Sequence, residues 1–310
     1  MKKVLISIVA AAAALLATSC TNELITDGDL FSNETTVRFV VKAPQVTSRA
    51  GVYGTGKAAN DLYYAVYDKD GKVIPAISKT TAEQKEFIDI ETTVEFKLVN
   101  GNWYSIVFWA ENEASVATID WDKQEMTYNP TKANQEHYDA FWAYVDPFRV
   151  TNNFQQPEMI ELTRPFSQIN IGTDDFDDAV DAGTTMVSAG MRVTLPNVLN
   201  LASGKVSGEA TLVYANEAFP TEPEVFPIDG YKYLAMNYVL VDDTKHLINL
   251  TFTHSDSVGN DYEVDYPNVP VRRNYQTNIY GSAFTSVASY KISIKPTPTV
   301  DPEYNYDTNK

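Results

Sequence analysis

The sequence predicts an all-β protein built from two β-sandwich domains in tandem. Three observations indicate this fold class: apolar and polar residues alternate in many short segments, turn-forming residues separate these segments, and helical periodicity is scarce. Alternation places one face of each strand in a core and the other in water. Many short strands with turns between them are typical of sandwiches. The clearest alternating segments are 37–41, 94–98, 248–252 and 262–266.

Turn residues separate the predicted strands in three places, and each place predicts a hairpin. The three pairs of segments are 62–67 and 73–77 around Asp70 and Gly71, 94–99 and 103–110 around Asn100 and Gly101, and 248–252 and 262–266 around residues 255–260. Short helical turns are expected over 82–87 and 176–182.

Composition divides the chain into four parts. The best candidate for a joint between two domains is the polar stretch 149–157, which is rich in Asn and Gln and follows the last of the four tryptophans. The predicted parts are a signal peptide over 1–19, a tether over 20–34, an N-terminal β-sandwich domain over 35–157 and a C-terminal β-sandwich domain over 158–310, which ends in a one-faced terminal strand.

The first twenty residues predict export and a lipid anchor. Lys2 and Lys3 precede an apolar run over 4–16, which small residues separate from Cys20. This order describes a secretory signal peptide, and the run is shorter than the roughly 20 apolar residues of a membrane-spanning helix. Cys20 stands where a bacterial lipobox carries its acylated cysteine, although Ala17 replaces the usual leucine. Ordinary secretion with a stray cysteine is the alternative.

The acidic composition bounds the class of partner. Lys and Arg number 24 against 41 Asp and Glu, which gives a net charge of −17. Such a surface repels phosphate backbones, so we expect no nucleic-acid partner. It also disfavours docking on anionic lipid, which leaves acyl chains on Cys20 as the membrane contact. The length suffices for a hydrophobic core without a disulfide, which a single cysteine could not form within the chain.

No motif for catalysis stands out, and we expect no enzyme activity, no cofactor and no metal site. There is no G-x-S-x-G nucleophile elbow, and the histidines lack the close spacing of zinc ligands. The acidic residues between Asp174 and Asp178 could bind calcium, but a solvated loop at a helix start is the favoured interpretation. The tryptophans could stack on sugars, although their apolar surroundings favour core packing. The histidines are His137, His246 and His254.

Two terminal segments look mutually substitutable, because each is a short strand with one apolar face. If the first strand were cut away after Arg49, an apolar groove and unpaired strand edges would be exposed. The last strand of a neighbouring copy could fill the groove by β-strand addition, and such a head-to-tail contact builds a filament. The alternative is that both are ordinary terminal strands of one monomer. The apolar faces are Val37, Phe39 and Val41 in the first strand and Tyr290, Ile292 and Ile294 in the last.

Two longer stretches resemble the fimbrillins, the type V pilus subunit lipoproteins of Bacteroidales. They read L-T-R-P-F-S-Q-I-N-I-G-T over 162–173 and V-R-R-N-Y-Q-T-N-I-Y-G over 271–281. The second carries the R-N-x-x-T-x-I-x-G strand pattern that recurs near the end of these proteins. Together with Cys20 and the arginine after the first strand, the resemblance spans essentially the whole mature chain. It implies two transthyretin-like, Greek-key β-sandwich domains in an outer-membrane lipoprotein precursor.

The resemblance also implies roles and partners. Cys20 would carry the lipid, and a trypsin-like protease would cut between Arg49 and Ala50 to release the first strand. The strand that bears Tyr290 would be donated to other copies or to related pilus subunits. The implied function is a structural fimbrial subunit, first at the cell outer membrane and then in the fimbrium, that serves adhesion to a surface ligand. A cell-surface glycan-binding lipoprotein is the alternative, motivated by Cys20 and an aromatic content of 12%.

Overall fold

The computed structural model describes residues 33–44, 53–155, 159–220, 225–285 and 289–296. In this part of the chain, strands form nearly all of the regular structure, and the residues from Glu34 onward belong to one compact unit. The strands are β1 (Glu34–Lys42), β2 (Asp61–Asp68), β3 (Glu86–Phe87), β4 (Glu91–Val99), β5 (Trp103–Glu111), β6 (Ala117–Asp120), β7 (Glu125–Tyr128), β8 (Ala140–Arg149), β9 (Ile160–Glu161), β10 (Phe166–Thr173), β11 (Met186–Leu195), β12 (Val198–Asn200), β13 (Val206–Ser207), β14 (Ala210–Ala218), β15 (Lys232–Leu240), β16 (His246–Asp256), β17 (Asp261–Val271), β18 (Tyr275–Gly281) and β19 (Tyr290–Pro296). The helix is α1 (Phe176–Asp181), and 3₁₀ turns cover Pro75–Ile77 and Glu136–Tyr138.

Two sheets pack face to face to form a first sandwich. One has the strand order β4-β1-β9 and the other β3-β2-β5-β8. The alternating apolar residues of β1 and β4 point inward and meet those of β2 and β5 in a common core. The predicted alternation of residues 37–41 and 94–98 is therefore real, and its apolar side faces this core.

A second sandwich follows the same principle with larger sheets. Its strand orders are β15-β10-β18-β19 and β14-β11-β16-β17. Apolar residues from one face of each sheet, with Ile169 and Ile279 on one side and Met191 and Phe252 on the other, form its core. The outer face of the β14-β11-β16-β17 sheet is polar, so its strands show the alternation expected of half-buried strands.

A third core joins the two sandwiches. Tyr67 and Trp109 from the first sandwich and Phe166 and Tyr238 from the second are all fully or almost fully buried there. The small sheet β13-β12-β7-β6 adds apolar residues to the same core. Because their sheets are covered on both faces, β5, β10 and β15 are buried almost without interruption along their length.

The turn at Asn100 and Gly101 was wrongly predicted as a hairpin. Gly101 takes the left-handed conformation that a tight turn demands, with φ of 88°. However, β4 pairs with β1, whereas β5 pairs with β2 and β8. The turn therefore carries the chain from one sheet of the first sandwich to the sheet that faces it. The dipeptide specifies a reversal of direction, and it does not specify whether the two strands share hydrogen bonds.

The remaining local predictions have mixed outcomes. The turn over 255–260 does join paired strands, β16 and β17, and α1 lies within the predicted helical turn 176–182. Around Gly71 the returning segment forms two isolated bridges with β2, Tyr67 with Val73 and Tyr64 with Lys79, and no continuous ladder, because Pro75 begins a 3₁₀ turn where a strand was expected. Residues 82–87 form turns and the short strand β3 instead of a helix.

The all-β sandwich fold class is confirmed. The domain boundary at residue 157 stays a prediction, and β9, which begins just beyond it, pairs with β1 of the first sandwich. Within the described ranges no helix has the length and apolar character needed to cross a membrane.

Candidate functional site

Strand β1, predicted as the displaced strand, lies in the middle of its sheet. All nine of its residues pair with β4 in antiparallel register, from Glu34 opposite Val99 to Lys42 opposite Glu91. At its end, Val41 and Lys42 also pair with β9 in parallel. Loss of β1 would leave β4 with an unpaired edge nine residues long, which is a template for another strand.

The inward side chains of β1 are completely buried and form the centre of the first core. The ring centroids of Phe96, Phe108 and Phe148 lie 6.0, 6.1 and 6.0 Å from that of Phe39. Burial of each such side chain stabilises the fold by about 1.5–3 kcal/mol. Any strand that replaces β1 must therefore supply apolar side chains at alternate positions. The inward residues of β1 are Val37, Phe39 and Val41, each with 0% of its surface exposed.

The outward face of β1 carries charge. The guanidinium of Arg38 donates to the carboxylate of Glu95 on β4, with its closest nitrogen at 2.6 Å. Both side chains are about half exposed, so the pair contributes at most about 1 kcal/mol. Its value lies in fixing which residue of β4 stands opposite each residue of its partner strand.

The chain leaves β1 and returns close to the point of departure. A side chain on Gly56 would bring its Cβ to 2.8 Å from the carbonyl oxygen of Pro44. The segment between these residues, which contains the predicted cleavage site at Arg49 and Ala50, thus begins and ends at neighbouring points. Arg49 and Ala50 lie outside the described residues, as do Cys20, the predicted signal peptide and nearly all of the predicted tether.

Strand β19, predicted as the donor strand, is an edge strand of the second sandwich. Among the described strands it pairs with β18, from Tyr290 opposite Gly281 to Pro296 opposite Tyr275. Tyr290 and Ile292 are partly exposed, whereas Ile294 is buried. The predicted displaced and donor strands thus belong to different sheets of this chain, and β19 here packs on the core of its own sandwich.

A buried charge cluster, which the sequence reasoning did not identify, lies where the two sandwiches meet. Arg164 donates from Nε and Nη2 to the two carboxylate oxygens of Asp139, both at 2.6 Å, and neither side chain is exposed. Nη2 also donates to the carbonyl oxygen of Gly54 at 2.9 Å. Arg164 lies within the stretch 162–173 quoted above. An arginine just before a strand is equally typical of the protein surface, so the local sequence does not indicate that Arg164 is buried.

Glu136 completes the cluster and holds the same glycine. The backbone N–H of Gly54 donates to both carboxylate oxygens of Glu136 at 3.0 Å, and the Tyr238 hydroxyl donates to one of them at 2.9 Å. Gly54 has φ of 83°, and a side chain there would overlap that of Gln168. The chain just after the predicted cleavage site is therefore fixed by two buried side chains, Arg164 and Glu136, that do not belong to β1.

Burial and the nearby carboxylate of Asp139 raise the pKa of Glu136 to about 8. Its ordinary value is 4.5, so between these pH values the folded state binds more protons than the unfolded state. The free energy of unfolding should thus fall as pH rises from about 4.5 to about 8 and level off above that. We expect Glu136→Gln to flatten this dependence when denaturant unfolding is measured from pH 5 to pH 9.

The matched control for this prediction is Glu263→Gln, which removes an exposed carboxylate that pairs with Arg192 at the surface. It should leave the pH slope of the wild type in place. A Glu136→Gln variant with the slope of the wild type would contradict an ionisation of Glu136 near neutral pH.

The acidic loop at Asp174 and Asp175 has a structural role. Asp175 is buried and accepts hydrogen bonds from the backbone N–H groups of Ala283, Phe284 and Thr285 at 2.8–3.1 Å. These contacts hold residues 283–285, which follow β18, against the start of α1. In the part of the chain that the structure describes, no group of three or more His, Cys, Asp or Glu residues is arranged to hold a metal ion.

The tryptophans differ in exposure. Trp109 is fully buried in the core between the sandwiches, and Trp103 is 49% exposed at the start of β5. Trp121 and Trp142 are partly buried against the same core as Trp109. Trp142 also donates its indole N–H to the carbonyl oxygen of Leu201 at 2.9 Å.

Several solved structures are similar to this chain at low identity. A fimbrial assembly protein from Parabacteroides distasonis has 12% identity and a TM-score of 0.44, with 85% of this chain and 96% of that chain covered. The tip fimbrial protein Mfa3 from Porphyromonas gingivalis, with a C-terminal truncation, has 10% identity, a TM-score of 0.47, and coverage of 85% and 99%. The fimbrial anchor protein Mfa2 from the same species has 14% identity, a TM-score of 0.42, and coverage of 84% and 98%.

No curated protein sequence matches this chain. A family model does match it, over residues 28–309, and so spans both sandwiches together with β1 and β19. The chain therefore belongs to the family of unknown function DUF6562.

Proposed function

We propose that this protein is a structural subunit of a surface filament that assembles by replacement of β1. The single observation that carries the proposal is the position of β1, which is central in its sheet and completely buried on its inner face. It is joined to the rest of the fold through the segment that contains Arg49, and the chain beyond that segment is anchored independently at Gly54. A cut after Arg49 would free β1 and leave the remainder of the fold in place.

The free energy of the opened groove would favour capture of another strand. Loss of β1 removes three buried apolar side chains from the core and so exposes the apolar residues that pack against them. It also leaves nine backbone positions of β4 without a partner strand. An unpaired strand edge of this length, next to exposed apolar side chains, is unfavourable in water. Strand β19 of a second copy has three apolar residues at alternate positions, and among the described strands it lies at the edge of its sheet, beside β18. Capture of this strand in a head-to-tail manner would extend a filament.

The remaining parts of the proposal concern location and partners. Cys20 would hold the precursor at the outer membrane through its acyl chains, and cleavage after Arg49 by a trypsin-like protease would detach the subunit from the lipid together with β1. The assembled filament would serve adhesion. Its partners are then other copies of this chain or related pilus subunits, and a surface ligand.

The test is assembly after limited trypsin digestion of the full chain. We expect a stable fragment that begins at Ala50, together with ladders of higher mass in unboiled electrophoresis samples. Arg49→Ala should remain intact at this position and monomeric, because trypsin cuts after lysine or arginine and the substitution removes that residue. Mass spectrometry identifies the new N-terminus.

Arg38→Ala is the matched control, since it removes another arginine near the site but from within the β1 ladder. It should be cut and should assemble like the wild type. A wild-type fragment that begins at Ala50 and stays monomeric would overturn the proposal, as would ladders from Arg49→Ala.

A further inference from the structure

Strands β1 and β19 share a pattern of three apolar residues at alternate positions, with basic residues at two of the positions on the other face. We infer that β19 of a second copy occupies the groove in one register, with Tyr290 at the position of Val37, and that carboxylates of the accepting subunit select this register. The inference rests on the proposed function and adds the partner strand's alignment and its recognition. In this register the inward positions of Val37, Phe39 and Val41 receive Tyr290, Ile292 and Ile294, and the outward positions of Arg38, Val40 and Lys42 receive Lys291, Ser293 and Lys295.

The charges of the two strands coincide in this alignment. Lys291 takes the place of Arg38 and stands opposite Glu95, the residue that pairs with Arg38 in the intact chain. Lys295 takes the place of Lys42, which stands between Glu91 of β4 and Glu161 of β9. The accepting groove thus has carboxylates at the two points where the incoming strand has ammonium groups.

Pro296 agrees with the same alignment. It falls at the position of Ala43, one residue beyond the last ladder pair of β1 with β4. Proline lacks a backbone N–H and is tolerated at the end of a strand. The hydrogen bond from the Ala43 N–H to the carbonyl oxygen of Ile90 is the one contact that it cannot reproduce.

Registers of β19 that are shifted by two residues keep its apolar face inward but lose the pairing of its lysines with carboxylates. With Ile292 at the position of Val37, Pro296 enters the ladder at Val41, and Lys295 faces Thr93 instead of a carboxylate. With Tyr290 at the position of Phe39, the ring suits the aromatic core.

That second shift fails at its far end. It forces Ile294 into the site of Ala43, which is 2% exposed and small, and it places Ser289 opposite Glu95. Neither shift brings Lys291 to a carboxylate of β4.

The surroundings of Lys295 in its own chain favour transfer of β19 to the groove of a second copy. Lys295 there stands opposite Gln276, and burial lowers the pKa of its ammonium group. Among the described residues it has no ion pair in that position. At the rim of the groove it would lie beside Glu91 and Glu161, where the positive charge is favoured.

Cysteine cross-linking reads the register directly. In a Cys20→Ser background of the full chain, Thr93→Cys is combined in turn with Lys291→Cys, Ser293→Cys or Lys295→Cys, and each is cut with trypsin and oxidised. Opposite residues of paired strands lie within the Cα separation that a disulfide spans. We expect the pair 93 and 293, which leaves Glu95, Lys291 and Lys295 in place, to give covalent ladders and the other two to give none. Uncut protein controls for bonds within one chain.

Charge reversal tests the selection. Glu95→Lys places like charges opposite each other and should slow assembly about tenfold at low salt, less so at high salt. Lys291→Glu added to it should restore the rate. Both variants weaken the pairing of β1 equally, so recovery in the double variant reports the new contact between subunits.

The outcomes separate the inference from the proposed function. A wild-type chain that is cut and never forms ladders overturns the proposed function. Ladders that cross-link through residue 291 or 295, or through none of the three, overturn the register while the filament stands. Ladders that form at an unchanged rate in Glu95→Lys overturn the role of the carboxylate.

Discussion

Replacement of Arg164 by methionine should lower the free energy of unfolding by about 3–5 kcal/mol, because it leaves the carboxylate of Asp139 buried without its partner. Methionine keeps most of the volume of the side chain, so the loss reports the charge and not a cavity. The carbonyl oxygen of Gly54 loses a donor in the same variant. Urea denaturation at constant pH measures the change.

Two further variants make the result specific. Arg192→Met removes a surface arginine that pairs with Glu263, with both side chains about half exposed, and should cost less than about 1 kcal/mol. The double variant Arg164→Met with Asp139→Leu removes both charges and should recover much of the lost stability. If Arg164→Met proves as mild as Arg192→Met, the cluster does not stabilise the junction of the sandwiches.

Phe39→Ala should destabilise the uncut chain by about 3–5 kcal/mol, because it removes the ring at the centre of the first core. After a cut at Arg49 the same variant should assemble like the wild type, since residue 39 departs with β1. Phe96→Ala, which empties the opposite side of the same core, should weaken both the uncut chain and the assembled filament. Thermal unfolding before cleavage and ladder stability after cleavage measure the two effects.

The contrast between these two phenylalanines distinguishes strand replacement from simple trimming of a terminal strand. If Phe39→Ala weakens the assembled filament as much as Phe96→Ala does, then β1 has not left the fold. If neither variant affects the uncut chain, the first core does not depend on β1.

In the proposed mechanism the buried cluster and the groove of β1 depend on each other. The groove can be emptied only if the chain beyond the cut stays in place, and Gly54 is held there by Arg164 and Glu136. Because burial and the carboxylate of Asp139 raise the pKa of Glu136 to about 8, its ionisation at alkaline pH adds a second buried negative charge to the cluster and should lower the free energy of unfolding. The measurement from pH 5 to pH 9 tests the anchor without reference to assembly.

Half-buried strands, with one face in a core and the other in water, were the elements that the sequence predicted most accurately. The alternation in β1, β4, β16 and β19 is a local property, since neighbouring side chains point to opposite faces whatever the strand pairs with. The turn over 255–260 joined paired strands as expected. The turn at Asn100 and Gly101 did not, because a turn fixes the direction of the chain and not its hydrogen-bonding partner.

By itself the sequence determined the all-β class, the one-faced terminal strands and the acidic character of the chain, since each depends on residues close together in the chain. Only the tertiary structure decided which strands share a sheet, which strands are buried on both faces, and which charges are buried. Arg164 and Gly54 are 110 residues apart and meet only because both sandwiches enclose them. Such contacts depend on how sheets pack, and a periodicity of two residues carries no information about the sheet on the other side.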